Sequence, residues 1–157
     1  MSTRAIGWAW VAAQFAALAV LLLLPWRTPS LVSIVLGAVV AMAGVLLGLA
    51  TSRALGSAFT PTPVPIRGAG LRMTGVYARV RHPMYGAVLL IVLGLLIAAG
   101  SPWGWAWGVA LVVFFVLKSR WEDSLLHTAH GSEWEAWANR TGALVPRRMP
   151  PRTKPGA

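Results

Sequence analysis

Cysteine is absent from the 157-residue sequence. That excludes disulfides, thiolate metal sites, cysteine nucleophiles and covalent haem attachment. Charge is scarce as well: 11% of residues are charged, against about 25% in an ordinary soluble domain. So little charge cannot cover a water-facing surface, and a soluble globule is excluded. Acids are scarcest of all, four Asp+Glu against fourteen Lys+Arg, for a net charge of +10. A nucleic-acid binder spreads its cations over one solvated face. Here they punctuate apolar runs, so the partner is a membrane and no nucleic acid is expected. His82, His127 and His130 do not show zinc spacing with carboxylates or with one another, and no metal site is expected. A dinucleotide fingerprint fails too: after Gly68 and Gly70 the next glycine is Gly75, and no strand precedes the stretch.

Hydrophobic residues make up 57% of the chain. A membrane helix needs roughly 20 of them in succession, because about 30 Å of hydrocarbon is crossed at 1.5 Å per residue. Residues 6–24 and 31–50 qualify, and the first run is too long for a signal-peptide core and lacks a cleavage site. Two shorter runs, 84–99 and 103–117, are separated by Gly100-Ser101-Pro102 and read as a helical hairpin. The expected fold is an all-α integral membrane protein, a single domain of about four spans. A polar loop over 51–83 joins the second span to the hairpin, and a tail over 118–157 carries an amphipathic helix. Cations concentrate in cytoplasmic loops. With both termini inside, thirteen of the fourteen fall on that side and Arg27 alone outside, the pattern of a bacterial inner-membrane protein. Gly44 with Gly48, and Gly104 with Gly108, permit close helix approach, read as packing within one chain. The oligomeric state stays open.

Four features stand above this background. The block from Thr74 to Tyr85 enters the third span, with Pro83 expected in its first turn, where a missing N–H costs nothing. Arg81 and His82 then sit at the helix mouth, either as interfacial anchors or beside a polar ligand. Second, all four acids, Glu122, Asp123, Glu133 and Glu135, lie just past the fourth span. Glu122 and Asp123 follow Lys118 and Arg120, so they either pair along the helix or serve a site, the reading taken for Glu122; Ser132 with Glu135 can form a capping box, the structural reading taken for Glu133 and Glu135. Third, Trp134 and Trp137 share one helical face, which either lies on the inner leaflet or folds back over the hairpin. Fourth, Phe59-Thr60-Pro61-Thr62-Pro63 is a stiff spacer.

Together these blocks resemble the isoprenylcysteine carboxyl methyltransferase family and its phospholipid N-methyltransferase relatives. The resemblance covers about residues 47–146. It rests on Gly75-Val76-Tyr77, Arg81-His82-Pro83-Met84-Tyr85, a hairpin, Glu122-Asp123, Gly131, Glu133-Trp134, Trp137 and Leu144-Val145-Pro146. Asp123 stands where a second Glu is usual, His130 where an aromatic precedes the glycine, and Trp134 and Trp137 where Tyr is usual. The resemblance implies methyl transfer from S-adenosylmethionine, with S-adenosylhomocysteine as product. It implies Arg81, His82 and Glu122 as catalytic residues, and Tyr77, His82, Pro83, Tyr85, Glu122, Asp123, Trp137 and Pro146 as cofactor contacts.

The chemistry suits these residue types. In-line displacement from a sulfonium asks the protein to orient partners and exclude water. Glu122 suits the cofactor's amino group, Arg81 or a helix N-terminus its carboxylate, and aromatics its sulfonium. A lipophilic acceptor would arrive from the bilayer. A carboxylate acceptor needs no general base; a phospholipid amine must lose a proton, giving His82 or Glu122 that role. Two other functions remain open: an NADPH-dependent reductase of the sterol-reductase type, and a non-enzymatic protein whose basic inner face holds anionic lipids.

Overall fold

A computed structural model describes residues 2–56, 64 and 70–147. Five α-helices follow one another: α1 (Thr3–Leu23), α2 (Leu31–Leu55), α3 (Pro83–Ala99), α4 (Pro102–His130) and α5 (Ser132–Ala138). A short 3-10 helix over Gly75–Ala78 precedes α3. The helix starts are written locally. Ser2 caps α1, Ser30 and Ser33 form a reciprocal box on α2, and Ser101 accepts from the Gly104 amide on α4. Pro83 and Pro102 occupy the first turns of α3 and α4, where proline's fixed φ favours the helix.

α1, α2 and α4 are each long and apolar enough to cross a membrane, and α3 is a shorter apolar helix. Two boundaries differ from the sequence reading. α2 continues to Leu55, so the expected loop begins later than residue 51. α4 does not end near residue 117 but runs unbroken to His130, 29 residues in all. At 1.5 Å per residue that is about 43 Å, well beyond the ~30 Å of a hydrocarbon core. The overhang carries Glu122 and Asp123 on a rigid helix rather than on a separate tail segment. The Phe59–Pro63 spacer lies outside the described residues.

Packing is chiefly α2 on α3, with α1 on α4 and the α3–α4 hairpin between them. α2 and α3 approach closely because glycines remove Cβ atoms at the crossing. A Cβ at Gly44 would stand 2.7 Å from the Ala87 carbonyl oxygen, and Gly37 meets Gly94 in the same way. Gly104 and Gly108 abut Leu96 of α3, so these small residues do serve packing within the chain. Leu21, Val92, Leu96 and Leu111 form the buried core towards the hairpin turn. There the α1–α2 linker is tied down by the Arg27 amide, which donates to Ala99 at 2.9 Å.

The chain after α4 turns back on itself. Gly131 has φ 52°, the left-handed region that glycine enters freely, and lets α5 reverse beside α4. The cap expected at its start is not formed: Gly131, not Ser132, is the N-cap, and no side chain caps the helix. Glu135 instead accepts from the His127 ring at 2.8 Å, a pairing across the reversal that competes with a local cap. Beyond α5, Gly142 bridges in parallel to Val80, and the Arg81 and His82 amides donate to Gly142 and Ala143 at 2.9 Å each. A Cβ at Gly142 would overlap the Val145 carbonyl, so the tight return needs glycine. The tail therefore folds back over the hairpin.

Candidate active site

His82 is the last residue before α3, and Pro83 behind it keeps its backbone out of the helical region (φ −120°, ψ 60°). That geometry swings the imidazole towards α4, where Glu122 and Asp123 emerge from the overhang. His82 Nε2 stands 2.9 Å from Asp123 Oδ1, and Nδ1 stands 3.4 Å from Glu122 Oε2. One turn along α3, the Tyr85 hydroxyl donates to the same Glu122 oxygen at 2.6 Å. The His82 and Tyr85 rings stack, 5.5 Å between centroids and 8° from parallel. Of the two alternatives for Glu122 and Asp123, intrahelical pairing is absent among the described residues; they bond to the α3 entrance instead.

Arg81 is the hinge pin of this cluster. Its Nε and Nη2 grip Asp123, with the closest approach 3.0 Å. Its Nη1 donates to the Thr141 and Ala138 carbonyls at 2.7 and 3.2 Å. The guanidinium also lies 5.8 Å from the Trp134 ring centre, within cation–π range. Most of its donors are spent on Asp123 and on the end of α5, so Arg81 joins three segments.

Electrostatics follow from burial and pairing. Burial by itself would lower the His82 pKa. Its hydrogen bonds to Asp123 and Glu122, and their charges, outweigh that and raise it to about 9. At neutral pH His82 is an imidazolium with both nitrogens on carboxylates. Burial alone would likewise raise Asp123, yet hydrogen bonds from His82 and Arg81 hold its carboxyl below the usual range. Tyr77, in the 3-10 helix, has its phenol pushed up by burial and then by the Glu122 charge.

The structure thus gathers Arg81, His82, Tyr85, Glu122 and Asp123 into one hydrogen-bonded cluster. Tyr77 and Trp137 adjoin it: the buried Trp137 indole donates to the Tyr77 carbonyl at 2.9 Å, clasping α5 against the 3-10 helix. Pro83 and Pro146 stand elsewhere, on an apolar groove of about 840 Å³ beside the cluster. The groove runs along α3 from Pro83 to Leu96 and along α4 from Val112 to Trp105. At 1.5 Å per residue its α3 wall is about 20 Å long. Val76, Arg79, Val80 and the tail residues Leu144, Val145 and Pro146 form one end. Among the described residues, Arg79 is its single charged lining residue.

Sequence reasoning missed three participants. Lys118 was read only as a partner for the acids, yet it is 2% exposed and its ammonium lies 5.0 Å from the Tyr85 ring centre. Its hydrogen-bond partner is Gln14 of α1, at 2.5 Å. Gln14 had a signal, as the one amide within an otherwise apolar run. The groove itself, with Arg79 at its end, had no signal beyond apolarity.

The residues present fit an S-adenosylmethionine-like molecule. Glu122 is the more open of the two acids, 23% exposed against 14% for Asp123. The buried Trp134 indole N–H has no hydrogen-bond partner among the described residues. Carboxylate, indole donor and stacked aromatics match an ammonium, a polar heteroatom and a flat base respectively.

In comparisons with known proteins, the family model described as phospholipid methyltransferase matches residues 32–133. No curated protein matches the chain.

Proposed function

The chain belongs to the phospholipid methyltransferase family, and we propose that it transfers a methyl group from S-adenosylmethionine to the carboxylate of a lipophilic acceptor held in the groove. The observation that carries this reading is adjacency. An ion-paired polar cluster and a long apolar groove share a wall made of Val80, Pro83 and the returning tail. A methyltransferase acting on a lipid needs both kinds of surface against one another. The groove is lined by apolar residues of α3 and α4, which suits an acceptor chain arriving from the bilayer.

Bound S-adenosylmethionine supplies a methyl carbon already activated by its sulfonium. The protein's residues bind and orient. Glu122 meets the donor's ammonium, Trp134 donates from the tail, and the rings of Tyr77, Tyr85 and Trp137 favour the flat base and the cation. Asp123 and Arg81 touch no donor atom in this account; they hold the tail down over the site and exclude water. His82 contributes a positive charge that balances the two acids. In this reading four spans have both ends cytoplasmic, with the cluster on the side where S-adenosylmethionine is made, and the cation distribution supports that orientation. Anionic inner-leaflet lipids would surround the basic loops.

The choice of a carboxylate rests on the absence of a free base at the cluster. An amine acceptor must shed a proton. His82 is already protonated, and Glu122 accepts from Tyr85 and His82 together. A carboxylate needs only a cation for orientation, and Arg79 stands at the groove's end. The second reading, N-methylation of a phospholipid amine, is favoured by the description of the matching family itself. The reductase and lipid-holding readings have no finding behind them.

Membranes containing the protein, supplied with methyl-labelled S-adenosylmethionine, separate the two acceptors. A methyl ester releases its label as methanol in mild alkali, whereas an N-methyl group keeps it. Alkali-stable label would overturn the carboxylate assignment, and no labelled lipid at all would overturn the methyl-transfer reading.

A further inference from the structure

A buried ammonium inside a membrane helix is costly, and it persists where it has partners and a task. Lys118 is such a group. It is 2% exposed, donates to Gln14 and lies over the Tyr85 ring, one helical turn before Glu122. The Tyr85 hydroxyl in turn donates to Glu122 at 2.6 Å. Phe115 flanks the same ring, 5.3 Å between centroids. A continuous set of contacts therefore runs from α1 through Gln14, Lys118 and Tyr85 to Glu122.

The register of α1 on α4 is pinned on either side of Gln14. Trp10 meets Phe114 edge to face with centroids 5.3 Å apart, and the Trp107 indole donates to the Ala17 carbonyl at 2.8 Å. Gln14 is thereby presented to Lys118 by packing, not by chance proximity of two flexible side chains. α1 also lies outside the residues that match the family model, 32–133.

We propose that Lys118, held in place by Gln14, is a positioning residue for the methyl-transfer site: it fixes the Tyr85 ring and, through its hydroxyl, the Glu122 carboxylate, which makes α1 a working part of that site. Lys118 does not touch the donor, being sealed beneath Tyr85. The inference rests on the reading that Glu122 meets the donor's ammonium. It adds that the placement of Glu122 is set from the first helix. Without the desolvated cation the Tyr85 ring loses its electrostatic partner. Without the Gln14 oxygen, the ammonium must find another acceptor within reach and leave the ring.

The test uses the full chain in detergent, with S-adenosylhomocysteine as the probe in calorimetric titration and thermal unfolding measured alongside. The set is wild type, Gln14→Leu, Gln14→Glu, Lys118→Met and Lys118→Arg. Gln14→Leu is expected to weaken binding about fivefold while Tm stays within a few degrees. Gln14→Glu, which keeps an acceptor for the ammonium, restores binding to within about twofold. Lys118→Met is expected to weaken binding by about tenfold, with partial recovery in Lys118→Arg. A packing role alone would move Tm and leave the dissociation constant untouched. Should Lys118→Met fail to fold, the two Gln14 variants decide. Wild-type affinity in both Gln14→Leu and Lys118→Met, or equal impairment in Gln14→Leu and Gln14→Glu, overturns the inference while the methyltransferase reading stands. Absence of binding by the wild type overturns that reading, and this inference with it.

Discussion

The two sides of the α3 entrance differ in almost every physical respect. On one side lies a polar cluster in which two acids pair with Arg81 and His82, while the buried Lys118 lies over the Tyr85 ring. On the other lies a groove of about 840 Å³ in which, among the described residues, only Arg79 carries charge. The cluster is over-determined: nearly every donor has a named acceptor. The groove is under-determined, a smooth apolar surface that accepts chains of one general shape. Specific recognition of a small polar molecule needs the first, because unpaired buried groups penalise every near miss. Recognition of a lipid chain tolerates the second, since apolar contact is non-directional. Pro83 divides them, with His82 turned to the cluster and Gly86 to the groove.

The comparison breaks most completely at Asp123. Asp123→Ala strands two cations, Arg81 and His82, and removing one partner of a buried pair costs about 3–5 kcal/mol. The expected result is a large fall in Tm, with new protease cuts after His130 as the tail comes away. Loss of S-adenosylhomocysteine binding without tail release would contradict the clamp role. Glu122→Gln is gentler, since it preserves shape and removes charge. A hydrogen bond to a charged group is worth about 1.5–3 kcal/mol, so binding should fall roughly 10- to 100-fold with Tm nearly unchanged. An unaltered calorimetric affinity would remove Glu122 from the site.

The groove side is probed by Val112→Trp, a swap of one lipid-compatible residue for a larger one. Labelled methyl transfer to membrane lipid should drop about tenfold while S-adenosylhomocysteine affinity holds. If both fall together, the groove and the cluster are not separable. The last probe is pH. The folded His82 pKa lies near 9, above its ordinary 6.5. A raised pKa contributes stability that is complete below 6.5 and fades as pH climbs through 9. Thermal unfolding from pH 6 to 10 should show that decline in wild type and a flatter profile in His82→Gln. Equal profiles in the two proteins would mean that His82 is not charged in the fold.

Legibility in the sequence tracked the range of the interactions. The apolar runs and Pro83 in the first turn of α3 were readable, because helix periodicity and capping act within three or four residues, whereas His82, Tyr85 and Glu122 were grouped only by the family resemblance. One local expectation failed, and one local alternative lost, where a distant partner outcompeted a near one. Ser132 does not cap α5, since Glu135 bonds to His127. Glu122 and Asp123 do not pair along their own helix, since His82, Tyr85 and Arg81 reach them from α3. Arg81 was expected beside the donor's carboxylate, and its geometry is that of a clamp on the tail.

By itself, the sequence determined that this chain enters a membrane and where its apolar helices begin. Hydropathy and end-capping are local properties, carried by neighbouring residues whatever the rest of the chain does. Tertiary structure alone decided which acid meets which cation, that Gln14 reaches Lys118, and that a groove opens beside Pro83. Those outcomes depend on how each helix is rotated about its axis. That rotation is set by close approaches such as Gly44 on Ala87 and Gly37 on Gly94, between residues far apart in the chain.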